Sequence, residues 1–233
     1  MSQITKNIYN IKIILLGETG VGKTNLINAY FGNTFNPNNL TTTNPNQSHG
    51  KLELKNNICF IDIWDTMGQE QYRAVTSNFI KGSHIVIFVY DITCMKSFEG
   101  LKFWVKKAKE NVDENKTVFG VVGNKIDLFE EAKVEKNMGE KYSKEIKAYF
   151  SEASAKENRK AFKKFVDKLV EKLFLDENNI RSYNFRSRFE NKQATEEDMD
   201  LILNYSINPD KQSIIKYFNQ EKNISPQYFE NLL

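Results

Sequence analysis

Gly17 to Thr24 read Gly-Glu-Thr-Gly-Val-Gly-Lys-Thr, the spacing G-x-x-x-x-G-K-[ST]. Such a loop suits a phosphate chain. Glycines let the backbone turn tightly and bring N–H groups close to phosphate oxygens. The positive end of a following helix dipole favours the anion. Within this loop Glu18, Thr19, Gly20, Val21 and Gly22 offer backbone to the phosphates. Lys23 adds a cation between the β- and γ-phosphates. Thr24 offers a hydroxyl to Mg²⁺, a hard ion that prefers oxygen ligands.

Three further motifs follow in order. Asp65-x-x-Gly68 ends an apolar stretch, and a carboxylate there can hold Mg²⁺ directly or through water. Gly68 can present its N–H to a terminal phosphate. Gln69 has a donor and an acceptor with which to orient an attacking water. In Asn124-Lys125-Ile126-Asp127, the Asp127 carboxylate can accept two hydrogen bonds from guanine. Adenine lacks that donor pair, so a buried Asp127 rejects ATP. Lys125 can lay its aliphatic stem on the base. In Ser154-Ala155-Lys156, the Ala155 N–H can reach the guanine O6. Asp-x-x-Gly or Ser-Ala-Lys alone is a weak signal, because Asp, Gly and Ser often mark strand ends. The ordered set of four is a strong one.

The elements that must position these motifs are legible as periodicity. Apolar runs predict strands at Ile11 to Leu16, Ile58 to Trp64, Ile85 to Tyr90 and Val118 to Val122, and Tyr149 to Ala153 reads as a short strand. Lys51 to Leu54 is a further strand, joined to Ile58 to Trp64 in a hairpin. Helices are expected at Lys23 to Phe31, from the Asp65 motif through Ile80, Ser97 to Glu110, Glu135 to Ala148 and Asn158 to Phe174. Phe35 to His49 reads as a long functional loop. Strands alternate with helices, so the class is α/β, with a mostly parallel sheet and ligands at the carboxyl ends of its strands.

The chain has 233 residues, with 33 basic and 30 acidic side chains and a net charge of +3. That balance demands no nucleic acid partner. Cys59 and Cys94 are the only cysteines, so there is no disulfide framework and a reducing, cytoplasmic setting is expected. The longest apolar stretch is too short to span a bilayer. A composition change near Asp176 divides a domain at 1–175 from an extension at 176–233. The extension carries 7 basic and 10 acidic residues, a net of −3. Its apolar clusters (Met199, Ile202 and Leu203; Ile214, Ile215 and Phe218; Tyr228, Phe229, Leu232 and Leu233) have the spacing of short amphipathic helices.

From Asn10 to Phe174 the sequence resembles the Ras-like small GTPases. Trp64-Asp65-Thr66-Met67-Gly68-Gln69-Glu70 with Tyr72-Arg73 is most similar to the Rab branch, whose usual wording is Trp-Asp-Thr-Ala-Gly-Gln-Glu. The resemblance implies a phosphate-loop fold with a six-stranded, mostly parallel sheet flanked by helices. It implies GTP and GDP as substrate and product, with Mg²⁺ held by Thr24, Asp65 and a switch threonine. Thr42 matches that threonine, with Thr41 and Thr43 beside it. Phe35 matches an aromatic near the base, and Gln69 the glutamine that orients water. Asn124, Lys125, Asp127, Ser154, Ala155 and Lys156 match the base-reading set. A monomer working with an exchange factor, a GTPase-activating protein and effectors is implied.

Three positions depart from the Rab pattern. Thr43-Asn44-Pro45-Asn46-Gln47 replaces the usual Ile-Gly-x-Asp-Phe, so Trp64 and Phe79 retain two of three effector-facing aromatics and Gln47 replaces the third. Met67 replaces a small alanine. No cysteine follows Cys94, so no direct lipid anchor is expected, and any membrane association is peripheral through a partner. The resemblance implies a slow GTP hydrolase acting as a molecular switch in vesicle trafficking. A nucleotide-binding scaffold that rarely cycles is the alternative from another class. An ATPase or nucleotide kinase is disfavoured by Asp127.

Overall fold

The computed structural model describes residues 7–36, 46–54, 57–66 and 73–174. All lie in the first of the two units into which the chain divides, Met1–Asn184 and Phe185–Leu233. Thr41 to Thr43, Met67, Gly68, Gln69, the expected boundary after residue 175 and the apolar clusters of the extension lie outside the described residues.

Six strands form one sheet: β1 (Asn7–Leu16), β2 (Asn46–Leu54), β3 (Asn57–Asp65), β4 (Ile85–Asp91), β5 (Val118–Asn124) and β6 (Tyr149–Ala153). Their spatial order is β2-β3-β1-β4-β5-β6. Only β2 runs antiparallel, paired with β3 from Asn46 opposite Asp65 to Leu54 opposite Asn57, as the expected hairpin requires. The helices are α1 (Lys23–Tyr30), α2 (Arg73–Ile80), α3 (Met95–Glu99), α4 (Leu101–Lys109), α5 (Lys136–Glu145) and α6 (Arg159–Leu173).

Alternation along the central strands explains why both faces are covered. Ile11, Ile13 and Leu15 of β1, with Ile85, Ile87 and Val89 of β4, join a core with α1 and α6. Ile14 and Leu16, with Val86, Phe88 and Tyr90, join the opposite core with Trp104 of α4 and Ile80 of α2. Successive side chains point to opposite faces of a strand, so each run fills both layers. Trp104 and Phe162 are wholly buried. Each such large side chain contributes about 1.5–3 kcal/mol by leaving water.

The structure corrects two expectations. The long first loop ends earlier than His49, because Asn46 to His49 already belong to β2. Their pairing partners on β3 hold them extended, and His49 Nδ1 lies 2.5 Å from Asp62 Oδ1 across the ladder. The single helix expected at Ser97 to Glu110 is two helices meeting at Gly100. After β5 the chain continues as a short 3₁₀ segment, Ile126–Glu131. Among the described residues no helix is long and apolar enough to cross a membrane.

Candidate functional site: a phosphate loop and a base-reading corner at the strand ends

The five parallel strands end along one edge of the sheet, and the motif residues lie there. Asp91, Asn124 and Ala153 are level with one another in the ladder. Leu15 is level with Asp65 on the other side.

The phosphate loop leaves β1 at Gly17 and enters α1 at Lys23. Gly22 is the N-cap of α1, with φ 94°, a left-handed conformation that suits glycine. A Cβ there would sit 2.4 Å from Asn124 Nδ2. Gly22 itself has no side chain to cap the first N–H groups of α1. A helix start of this kind is an anion-binding feature. Lys23 Nζ is buried and donates to the Gly17 carbonyl (2.8 Å) and the Glu18 carbonyl (2.9 Å). Burial pushes its pKa down to about 8, and the carboxylates of Asp65 and Glu18 only partly counter that shift. A buried ammonium next to that helix start fits a phosphate chain. Thr24 Oγ1 donates to Asp65 Oδ2 at 2.6 Å. Strand β3 therefore delivers Asp65 to the first turn of α1. Two oxygen ligands so placed fit Mg²⁺, which keeps several waters and takes few protein ligands. Thr66 holds the corner by donating from Oγ1 to the buried Leu15 carbonyl, 2.6 Å away.

The corner expected to read the base is built differently. Asn124 is buried at the end of β5 and donates from Nδ2 to the Val21 carbonyl at 2.8 Å. It thereby ties this corner to the phosphate loop. Lys125 adopts φ 67°, which throws its side chain back across β4. Its Nζ lies 2.7 Å from Asp91 Oδ2, so the stem is fixed as a bar over the corner. Ser154 Oγ donates to Asp127 Oδ1 at 2.5 Å and accepts from the Glu157 N–H at 2.9 Å. One Asp127 oxygen is thus held by the loop after β6. Ala155 is buried beside it.

Not every candidate joins the site. Lys156 is exposed, with Nζ 3.8 Å from Glu157 Oε1. Thr19 is exposed on the loop, and half-buried Phe35 packs against the core shared by α1 and α6. Gln47 is opposite Trp64 in the hairpin, and the Trp64 and Phe79 rings are 5.4 Å apart. The structure also reveals a residue that sequence reading passed over: Asp91, the anchor of Lys125. Its signal was an acid closing the apolar run Ile85 to Tyr90 at a strand's carboxyl end.

The Ras family profile matches residues 12–174. The chain is similar to Ras-related protein Rab-30 of Homo sapiens, with 36% identity over 165 residues, covering 71% of this chain and 76% of that protein. Ras-related protein Rab-21 of Homo sapiens is 38% identical over 168 residues, or 72% of this chain and 70% of that protein. Ras-related protein Rab-11B of Dictyostelium discoideum is 33% identical over 187 residues, or 80% of this chain and 79% of that protein.

Proposed function

The chain belongs to the Ras family of small GTPases, and on that premise we propose that it is a Rab-like molecular switch of vesicle trafficking, binding GTP and GDP and hydrolysing the first to the second. The observation that carries this reading is the bond from Asn124 to the Val21 carbonyl. It ties the loop that carries Lys23 to the turn that carries Asp127.

In this reading the backbone of Glu18 to Gly22 and the Lys23 ammonium bind the β- and γ-phosphates. Asp127 accepts from guanine while Ser154 fixes its second oxygen. Lys125, held by Asp91, lies along the base plane. Thr24, Asp65 and Thr42 are the residues that would hold Mg²⁺. That ion, when bound, neutralises charge on the phosphates. Gln69 orients the attacking water and Gly68 gives its N–H to the terminal phosphate. No arginine of the chain is assigned to the transition state, so turnover is slow and a GTPase-activating protein supplies that charge. An exchange factor and effectors complete the cycle. Residues 176–233 carry the C-terminal extension, and membrane contact is peripheral, through a partner.

Competition of GTP against ATP on the full chain tests the base assignment; equal affinity sinks it. Single-turnover hydrolysis tests the switch. Gln69→Leu should retain GTP affinity and lower the hydrolysis rate about 100-fold, the general size of a lost positioning or acid–base contribution. If wild type and variant hydrolyse at the same rate, with and without cell extract, the chain is a scaffold instead.

A further inference from the structure

Glu18 is the one acid in Gly17 to Thr24, a loop proposed above to receive a highly charged anion. Its two halves work in opposite senses. The main-chain carbonyl accepts from Lys23 Nζ at 2.9 Å and so supports the phosphate-binding cation. A carboxylate on the same residue repels phosphate wherever the two approach in a site of low dielectric.

The carboxylate is taken up elsewhere. Trp104 Nε1, on α4, donates to Glu18 Oε1 at 3.1 Å, across 86 residues of sequence. Trp104 is wholly buried, so the indole cannot swing away without opening the core. Gly100, at the joint between α3 and α4, leaves the space in which the Glu18 side chain lies. A Cβ there would sit 2.9 Å from Oε1, 3.1 Å from Cγ and 3.3 Å from Cδ. The backbone at Gly100 is helical, with φ −62° and ψ −19°, so it does not require glycine. The small residue there makes room for Glu18.

We infer that Trp104 and Gly100 form a latch that holds the Glu18 carboxylate against α4 and out of the phosphate pocket, which makes Trp104 a positioning residue for nucleotide retention. The inference rests on the guanine-nucleotide reading of the site. A released Glu18 carboxylate has a ready partner in Lys23. Even when latched, its charge acts on that ammonium, third after burial and Asp65, and release would bring it closer. Pairing with Lys23 would compete with the phosphates for the same charge.

Release of fluorescent GDP from the full chain tests the latch. Trp104→Phe keeps a buried aromatic but loses the donor, and should release GDP about tenfold faster, within the range of couplings between contacting residues. Gly100→Ala displaces the side chain without touching the core and should act in the same direction. The decisive comparison is made on the Glu18→Gln background, where the charge is gone. There Trp104→Phe should change the release rate by less than twofold, because an uncharged side chain does not compete for Lys23. Equal acceleration with Glu or Gln at 18 would reduce Trp104 to packing and overturn the latch. A wild-type release rate in Trp104→Phe overturns it as well. Should Trp104→Phe fail to fold, wild-type release by Gly100→Ala has the same force. Failure of the wild-type chain to bind any guanine nucleotide is a separate result, seen before any variant is made. It would overturn the site reading and the latch with it.

Discussion

The two ends of the site solve the problem of holding a ligand by different means. In the proposed site, the phosphate end offers backbone and one buried cation: a helix start at a left-handed Gly22, and Lys23 on two carbonyls. The base end offers side chains that other side chains hold in place: Asp91 on Lys125, and Ser154 on Asp127. The first design follows from contiguous residues. The second draws on three separate loops. Damage at the phosphate end should therefore abolish affinity, whereas damage at the base end should redirect or loosen it.

The largest break should come from Lys23→Met. Removing one partner of a buried charged contact costs about 2–5 kcal/mol, so GTP and GDP affinity should fall about 30-fold to several thousand-fold, as measured by titration. A loss below tenfold would remove Lys23 from the phosphate site. Next is Asp127→Asn, which should cost two charge-assisted hydrogen bonds, about 100-fold in GTP affinity. Binding of xanthine nucleotide should improve in the same protein, because the amide can donate to the extra ring carbonyl. Loss of both nucleotides alike would indicate collapse of the corner and not a change of reading.

Acidity separates the two ends more finely. Free Lys23 has a pKa of about 8, while a bound phosphate chain holds it protonated. Below pH 8 binding takes up no proton; above it, each binding event takes up one. Affinity is therefore full at pH 7 and should fall about tenfold by pH 9. Lys23→Met should lose this slope, and Asp127→Asn should keep it. Calorimetry in two buffers of different ionisation heat would register the proton directly. The smallest effect is expected from Ser154→Ala. It leaves Asp127 in place but releases one oxygen, and GTP affinity should drop about fivefold, the worth of roughly one hydrogen bond. If Ser154→Ala is as severe as Asp127→Asn, Ser154 does more than orient its neighbour.

The same contrast governs what could be read from the sequence. The phosphate loop was legible because its geometry is local. The spacing of Gly17, Gly20, Gly22 and Lys23 fixes the turn, and the apolar runs on either side fix the strand and helix. Strands β1, β4 and β5 were legible because burial on both faces leaves nearly continuous apolar runs. The start of β2 was not, since Asn46 to His49 have no apolar alternation and are extended only by pairing with β3. The break at Gly100 was hidden by good helical periodicity on both sides. Asp91 and Trp104 escaped for one reason. Their partners are 34 and 86 residues away, and no spacing rule joins them before the sheet is assembled.

The level alignment of Asp91, Asn124 and Ala153 makes the sheet a counting device. Each strand residue advances about 3.3 Å, and a shift of one residue turns every following side chain to the other face. Deleting one residue between Val118 and Asn124 would draw Asn124 off the Val21 carbonyl and turn it toward α5. Lys125 and Asp127 would lose Asp91 and Ser154 in the same stroke. Length changes at the opposite edge, between α4 and β5 around Asp113 to Lys116, leave that count untouched. Chain length is thus free to change on that rim of the sheet and is held to a fixed tally within the strands.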